Sequence, residues 1–91
     1  MADTNAVIRY LERATDLTET AEVSTFEGYR PTEDGGMQEV TVTVLDGGEG
    51  AGELRYSVFA RTEDGKEARG NAAGTLDEAV AIMAVHWGQL D

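Results

Sequence analysis

The sequence has no cysteine, one proline (Pro31), one lysine (Lys66), one histidine (His86) and one tryptophan (Trp87). Each shortage closes off some chemistry. Without cysteine there are no disulfides, no thiolate zinc sites and no cysteine nucleophile. Seven Lys and Arg against 18 Asp and Glu leave a formal charge of −11. That is the wrong sign for gripping a phosphate backbone or docking on an anionic membrane. No apolar run approaches the roughly 18–20 residues that span a bilayer, and the opening MADTNAVIRY lacks the plan of a signal peptide. The expectation for these 91 residues is one cytoplasmic domain, 1–91, with no membrane partner and no double-stranded nucleic acid.

What is abundant is carboxylate, with Ala, Val, Thr and Gly, and with Arg preferred to Lys. This style resembles the proteins of salt-accumulating archaea, although the Arg preference is shared by GC-rich bacteria. High net charge favours solubility and destabilises the compact state through self-repulsion. Near 1 M salt the screening length is about 3 Å, and that repulsion fades.

Val7, Tyr10, Leu11 and Ala14 fall at i, i+3, i+4 and i+7, which predicts a first helix with Thr4 or Asn5 as its N-cap. The middle of the chain changes period. Val40, Val42 and Val44 alternate with Thr41, Thr43 and Leu45, and Leu54, Tyr56, Val58 and Ala60 alternate with Arg55, Ser57, Phe59 and Arg61. Both runs have the two-residue period of a half-buried strand. A weaker strand is expected over 22–29 and a short one over 66–72. Asp64-Gly65 is a hairpin signal, and Thr-Glu-Asp-Gly at 32–35 recurs at 62–65, either as shared turn chemistry or by chance. Thr75-Leu76-Asp77-Glu78 fits a capping box, followed by an apolar stripe of Leu76, Ala79, Val80, Met83, Ala84 and Trp87. The expected fold is therefore α+β: helix, antiparallel meander of three or four strands, helix. Both helices are expected on one face of the sheet, over Val40, Val42, Val44, Leu54, Tyr56 and Val58.

Over residues 54–90 the segments LRYSVFART, EDGK, EARGNAAG and TLDEAVAIMAVHWGQL resemble the second half of a double-stranded-RNA-binding domain. The resemblance implies that family's topology. It does not carry the family's activity, because the lysine-rich opening of its second helix is replaced here by Leu76-Asp77-Glu78, which repels phosphate. Gly74, Thr75, Glu78 and Ala79 also resemble the helix opening of HicB-like antitoxin domains, with a different spacing between Gly and Thr.

Residues that might hold chemistry are few. His86 has no nucleophile or second ligand at a readable spacing, so neither a catalytic site nor a metal site is expected, and no cofactor. Asp34-Gly35 and Asp64-Gly65 match two positions of a calcium loop, but Arg30 and Thr32 (or Ala60 and Thr62) stand where the first ligands belong. The run Gly47–Gly52 lacks the Gly-Lys-Ser/Thr ending of a phosphate cradle and precedes a strand.

Charge segregation stands out instead. Residues 22–53 carry eight acids and Arg30, a net −7, whereas 54–75 carry three acids and four bases, a net +1. Strand alternation puts Arg55, Ser57, Phe59 and Arg61 on the sheet face away from the helices, with Arg69 beside them. Cross-strand pairing with Glu39, Glu63 or Glu67 is the plainer use of these arginines. The expectation is a small non-enzymatic domain that acts through this face, by contact with a protein partner or as a homodimer. The alternatives are single-stranded nucleic acid on the Arg55/Phe59/Arg61 face, or an antitoxin of the HicB type.

Overall fold

The computed structural model describes residues 3–91. Helix α1 (Thr4–Ala14) is followed by strands β1 (Glu22–Pro31), β2 (Met37–Asp46), β3 (Tyr56–Thr62) and β4 (Glu67–Arg69), then helix α2 (Leu76–Ala84). A 3₁₀ segment, Glu49–Leu54, joins β2 to β3, and a 3₁₀ turn, Trp87–Leu90, follows α2. The strands form one antiparallel sheet in the order β1-β2-β3-β4. The fold is α+β, and the meander has four strands.

Register decides which side chains meet. Val42 lies opposite Ala60, Val44 opposite Val58 and Ala60 opposite Ala68. Against this even-numbered face α2 sets Ala79 and Met83, and Leu90 closes the core from the 3₁₀ turn. Ala60, Ala68 and Leu90 are fully buried. The small side chains let helix and sheet approach closely, and the limit is reached at Gly70. A Cβ there would stand 2.6 Å from Ile82 Cγ2 and 2.8 Å from the Met83 backbone nitrogen. At the other end of α2 the Thr75 hydroxyl oxygen accepts from the Glu78 amide at 3.4 Å, the expected N-cap. The helix ends at Ala84, so Trp87 packs against the core from the 3₁₀ turn. Leu76 and Val80, placed in the stripe by spacing, remain exposed.

The repeated Thr-Glu-Asp-Gly is shared turn chemistry. In both copies the glycine amide donates to the threonine carbonyl at 3.1 Å, and the threonine hydroxyl donates to the aspartate carboxylate. Gly35 and Gly65 adopt φ of 86° and 88°, a region open to glycine at little cost. Thr32 and Thr62 also donate their amides to the Gly36 and Lys66 carbonyls, so each loop has three residues and ends on a left-handed glycine. Asp64-Gly65 therefore occupies the end of a three-residue loop and not the centre of a two-residue one.

Other expectations need correction. In α1 the buried residue is Ile8, while Val7 and Tyr10 of the expected stripe are exposed. The helix stands at the end of the sheet beside the 3₁₀ segment. Thr4 donates to Glu22 at 2.5 Å, and Asn5 Oδ1 accepts from the Glu49 amide at 2.6 Å, so both candidate caps serve as tertiary ties. An open groove of about 800 Å³ beside α1 is lined by Ile8, Leu45 and Ser57. Leu45 and Ser57 pair on the face opposite Val44 and Val58. The main core lies between the sheet and α2, and Ile8 of α1 is buried outside it. Leu54, expected in the sheet core, falls in the 3₁₀ segment and is 71% exposed.

Candidate functional site

The odd-numbered face, turned away from α2, is set by the same register. Thr41 pairs with Arg61, Thr43 with Phe59 and Leu45 with Ser57; Phe59 and Arg61 then pair with Arg69 and Glu67. From β1, Val23, Thr25, Glu27 and Tyr29 continue this face. Phe59, Arg61 and Arg69 come together as alternation predicts, because β3 keeps its period from Tyr56 to Thr62.

Glu67 organises the group. Its Oε2 lies 2.6 Å from Arg61 Nη2 and its Oε1 2.6 Å from Arg69 Nε. The guanidinium of Arg69 in turn lies over the Phe59 ring, 4.5 Å from its centroid. The Arg61 hydrogen bond, and then that of Arg69, hold the Glu67 carboxyl below the usual carboxylate range. Both arginine side chains remain more than half exposed, at 57% and 60%. A shallow open groove of about 220 Å³ runs beside them between Thr41, Thr43, Phe59 and Arg61, with Glu39 and Glu63 in its walls.

Arg55 does not belong to this group. The chain is still in the 3₁₀ segment at Leu54, kinked at Gly52 (φ 58°), so strand alternation does not reach back to Arg55. Its side chain turns to the last residue of β2, with Nε 2.8 Å from Asp46 Oδ1, and lies 4.9 Å from the Tyr56 ring centroid. Arg55, ahead of other neighbours, holds the Asp46 carboxyl low. Ser57 is on the outer face but lines the groove beside α1.

The remaining candidates have local roles. His86 lies past the end of α2, where its amide donates to the Met83 carbonyl and its carbonyl accepts from the Gln89 amide, both at 2.9 Å. Asp34 and Asp64 are engaged by their own turns, and the threonine hydroxyls are the main reason their carboxyls sit low. Among the described residues, no three His, Asp or Glu side chains converge as a metal-binding group. The place of Glu67 as a hub for two arginines was hidden in the sequence, where three glutamates were equivalent candidates. Tyr29, 68% exposed on the same face, was hidden because only the β1–β2 register assigns it there.

Among the described residues no helix is long and apolar enough to cross a membrane. Comparison with family models, curated proteins and solved structures gives no match.

Proposed function

We propose that this chain is a non-enzymatic module that acts by binding another protein through the outer sheet face. The supporting observation is the Phe59–Arg69–Glu67–Arg61 array, held on paired strands and open to solvent. Arginine and aromatic side chains are enriched at the energetic centres of protein interfaces. Ordering long side chains is a main cost of binding, and here salt bridges and the stacked ring have met part of it in advance. Each guanidinium has five N–H donors, so Glu67 leaves donors for a partner's carbonyls or carboxylates. The neighbouring groove is too shallow to enclose a small molecule, since ligand pockets commonly hold about 300–1,000 Å³. From the double-stranded-RNA-binding resemblance this reading keeps only the plan of helix, sheet and capped helix.

Single-stranded nucleic acid is the weaker reading. Arg69 covers a face of Phe59 on which a base would stack, and Glu67 neutralises charge that would meet phosphate. The test is a photo-reactive side chain at Thr43, activated in an extract of the source organism. One discrete adduct with another polypeptide, removed by Phe59→Asp, is expected. No adduct, or adducts indifferent to Phe59→Asp, overturns the reading. Oligonucleotide binding at low salt, lost as salt rises, would transfer the face to nucleic acid.

A further inference from the structure

The two edges of the sheet differ. β4 has three residues and is backed by the Trp87–Leu90 turn. β1 has ten residues, packs extensively against β2 alone, and is exposed along nearly all its length. Val23, Phe26 and Tyr29 are 59%, 59% and 68% exposed. The molecule is correspondingly drawn out, with a radius of gyration of 15.3 Å, against about 12 Å for a compact domain of this length. Long, flat, partly apolar edges invite pairing with another chain unless they are blocked.

The backbone phase says which groups are free. Thr32 donates its amide to the Gly36 carbonyl, and the register continues from there in steps of two through Arg30, Gly28, Phe26 and Ser24. Those even-numbered residues address β2. The N–H and C=O groups of Val23, Thr25, Glu27 and Tyr29 therefore point out from the edge. Pro31 has the same parity, so its missing N–H faces the open side and ends the ladder.

We propose that β1 pairs antiparallel with β1 of a second copy, with Phe26 on the two-fold axis. This inference goes beyond the outer-face reading and does not depend on it. Symmetric pairing must match the outward residues with one another, which leaves three central registers. Centring on Glu27 sets two like charges directly opposite, which is destabilising. Centring on Thr25 sets Glu27 against Val23 and Glu22 against Gly28. Centring on Phe26 avoids both clashes: it sets Val23 against Tyr29, Thr25 against Glu27 and Ser24 against Gly28, with Glu22 opposite Arg30, whose guanidinium is already held by Asp91 at 2.6 Å and Gln38 at 2.8 Å. In that register Phe26 meets its own copy in a narrow, non-hydrogen-bonded pair, where side chains are closest. The interface is isologous and closed, as two-fold symmetry requires. Two four-stranded sheets become one of eight, and their outer faces run together. Each chain carries −11, so pairing strengthens as salt screens the repulsion.

The test is sedimentation equilibrium of the full chain, from about 10 μM to about 1 mM, at about 0.1 M and 2 M salt. A monomer–dimer equilibrium, tighter at high salt, is expected. Thr25→Glu should weaken the homodimer about tenfold, since it sets like charges opposite twice, across from Glu27 of each copy, and Thr25→Lys should tighten it. Phe26→Arg should also weaken it, with circular dichroism showing that each variant is folded. Phe59→Ala, on the outer face, should leave it unchanged. A monomer under all conditions overturns the proposal. So does a dimer that ignores Thr25 and Phe26 and is lost with Phe59→Ala, which would return self-association to the outer face.

Discussion

Asp46 and Arg55 close the crossing from β2 to β3 as a two-point pair, Nε to Oδ1 at 2.8 Å and Nη2 to Oδ2 at 3.3 Å. Asp46 Oδ1 also accepts the Gly48 amide at 2.9 Å, so one carboxylate fixes both sides of a six-residue 3₁₀ connection. Asp46→Asn keeps the shape and loses the charge. It should lower unfolding stability by about 1 kcal/mol, the modest value expected where solvent screens the pair. Urea unfolding at pH 7 measures this, and an unchanged midpoint would mean that the 3₁₀ segment holds itself.

Four carboxyls, Asp34, Asp46, Asp64 and Glu67, sit below their ordinary range in the folded chain. A depressed folded value means that the proton binds the unfolded chain more readily. Their contribution is therefore fully present above the unfolded values, about 3.9 for Asp and 4.3 for Glu. It is lost as pH falls through the folded values. The net charge of −11 adds self-repulsion of its own, so the informative quantity is a difference between variants. Asp34→Asn and Asp64→Asn should each flatten the fall in stability between pH 5 and pH 3 relative to the parent. Parallel profiles would show that the turn hydrogen bonds carry no linkage.

The order of elements was legible because each announces itself locally. Alternation marks β2 and β3 at Val40, Val42, Val44, Val58 and Ala60, and the Thr75–Glu78 cap marks α2. The outer face was legible from Phe59 onward for the same reason. What failed lies at junctions, where a neighbour sets the phase. Nothing local separates Arg55 from the strand that follows; the kink at Gly52 does, and Asp46 then captures the side chain. In α1, Val7 and Ile8 are equally apolar. The choice of Ile8 comes from the close approach of Gly48, 3.3 Å from Ile8 Cδ1 when extended by a Cβ.

Gly70 is the tightest point of the helix–sheet packing, and its obstacles include the backbone of α2 itself. Gly70→Ala should therefore push α2 off the sheet and cost about 2–3 kcal/mol, the upper part of the range for overpacked sites. Gly28, in β1, has nothing within 4 Å of a Cβ and no unusual φ. Gly28→Ala is the matched control and should change stability by no more than about 0.5 kcal/mol. Equal thermal shifts for the two variants would show that α2 moves freely.

The attachment of α1 predicts a separate melting event. Its 11 residues bury only Ile8, outside the main core, and an isolated helix of that length is marginal in water. Its side chains make a few polar ties to the rest of the chain: Thr4 to Glu22 of β1, Asn5 to the Glu49 amide of the 3₁₀ segment, and Glu12 to the Thr20 amide before β1. Local opening follows sparse burial, so amides in α1 should exchange with solvent at least about tenfold faster than those of β2 and β3. Asn5→Ala removes the acceptor for Glu49 and should speed exchange in α1 further while leaving β3 unchanged. If β3 accelerates equally, α1 and the sheet open as one unit, and the groove between Ile8 and Ser57 is part of a single cooperative structure.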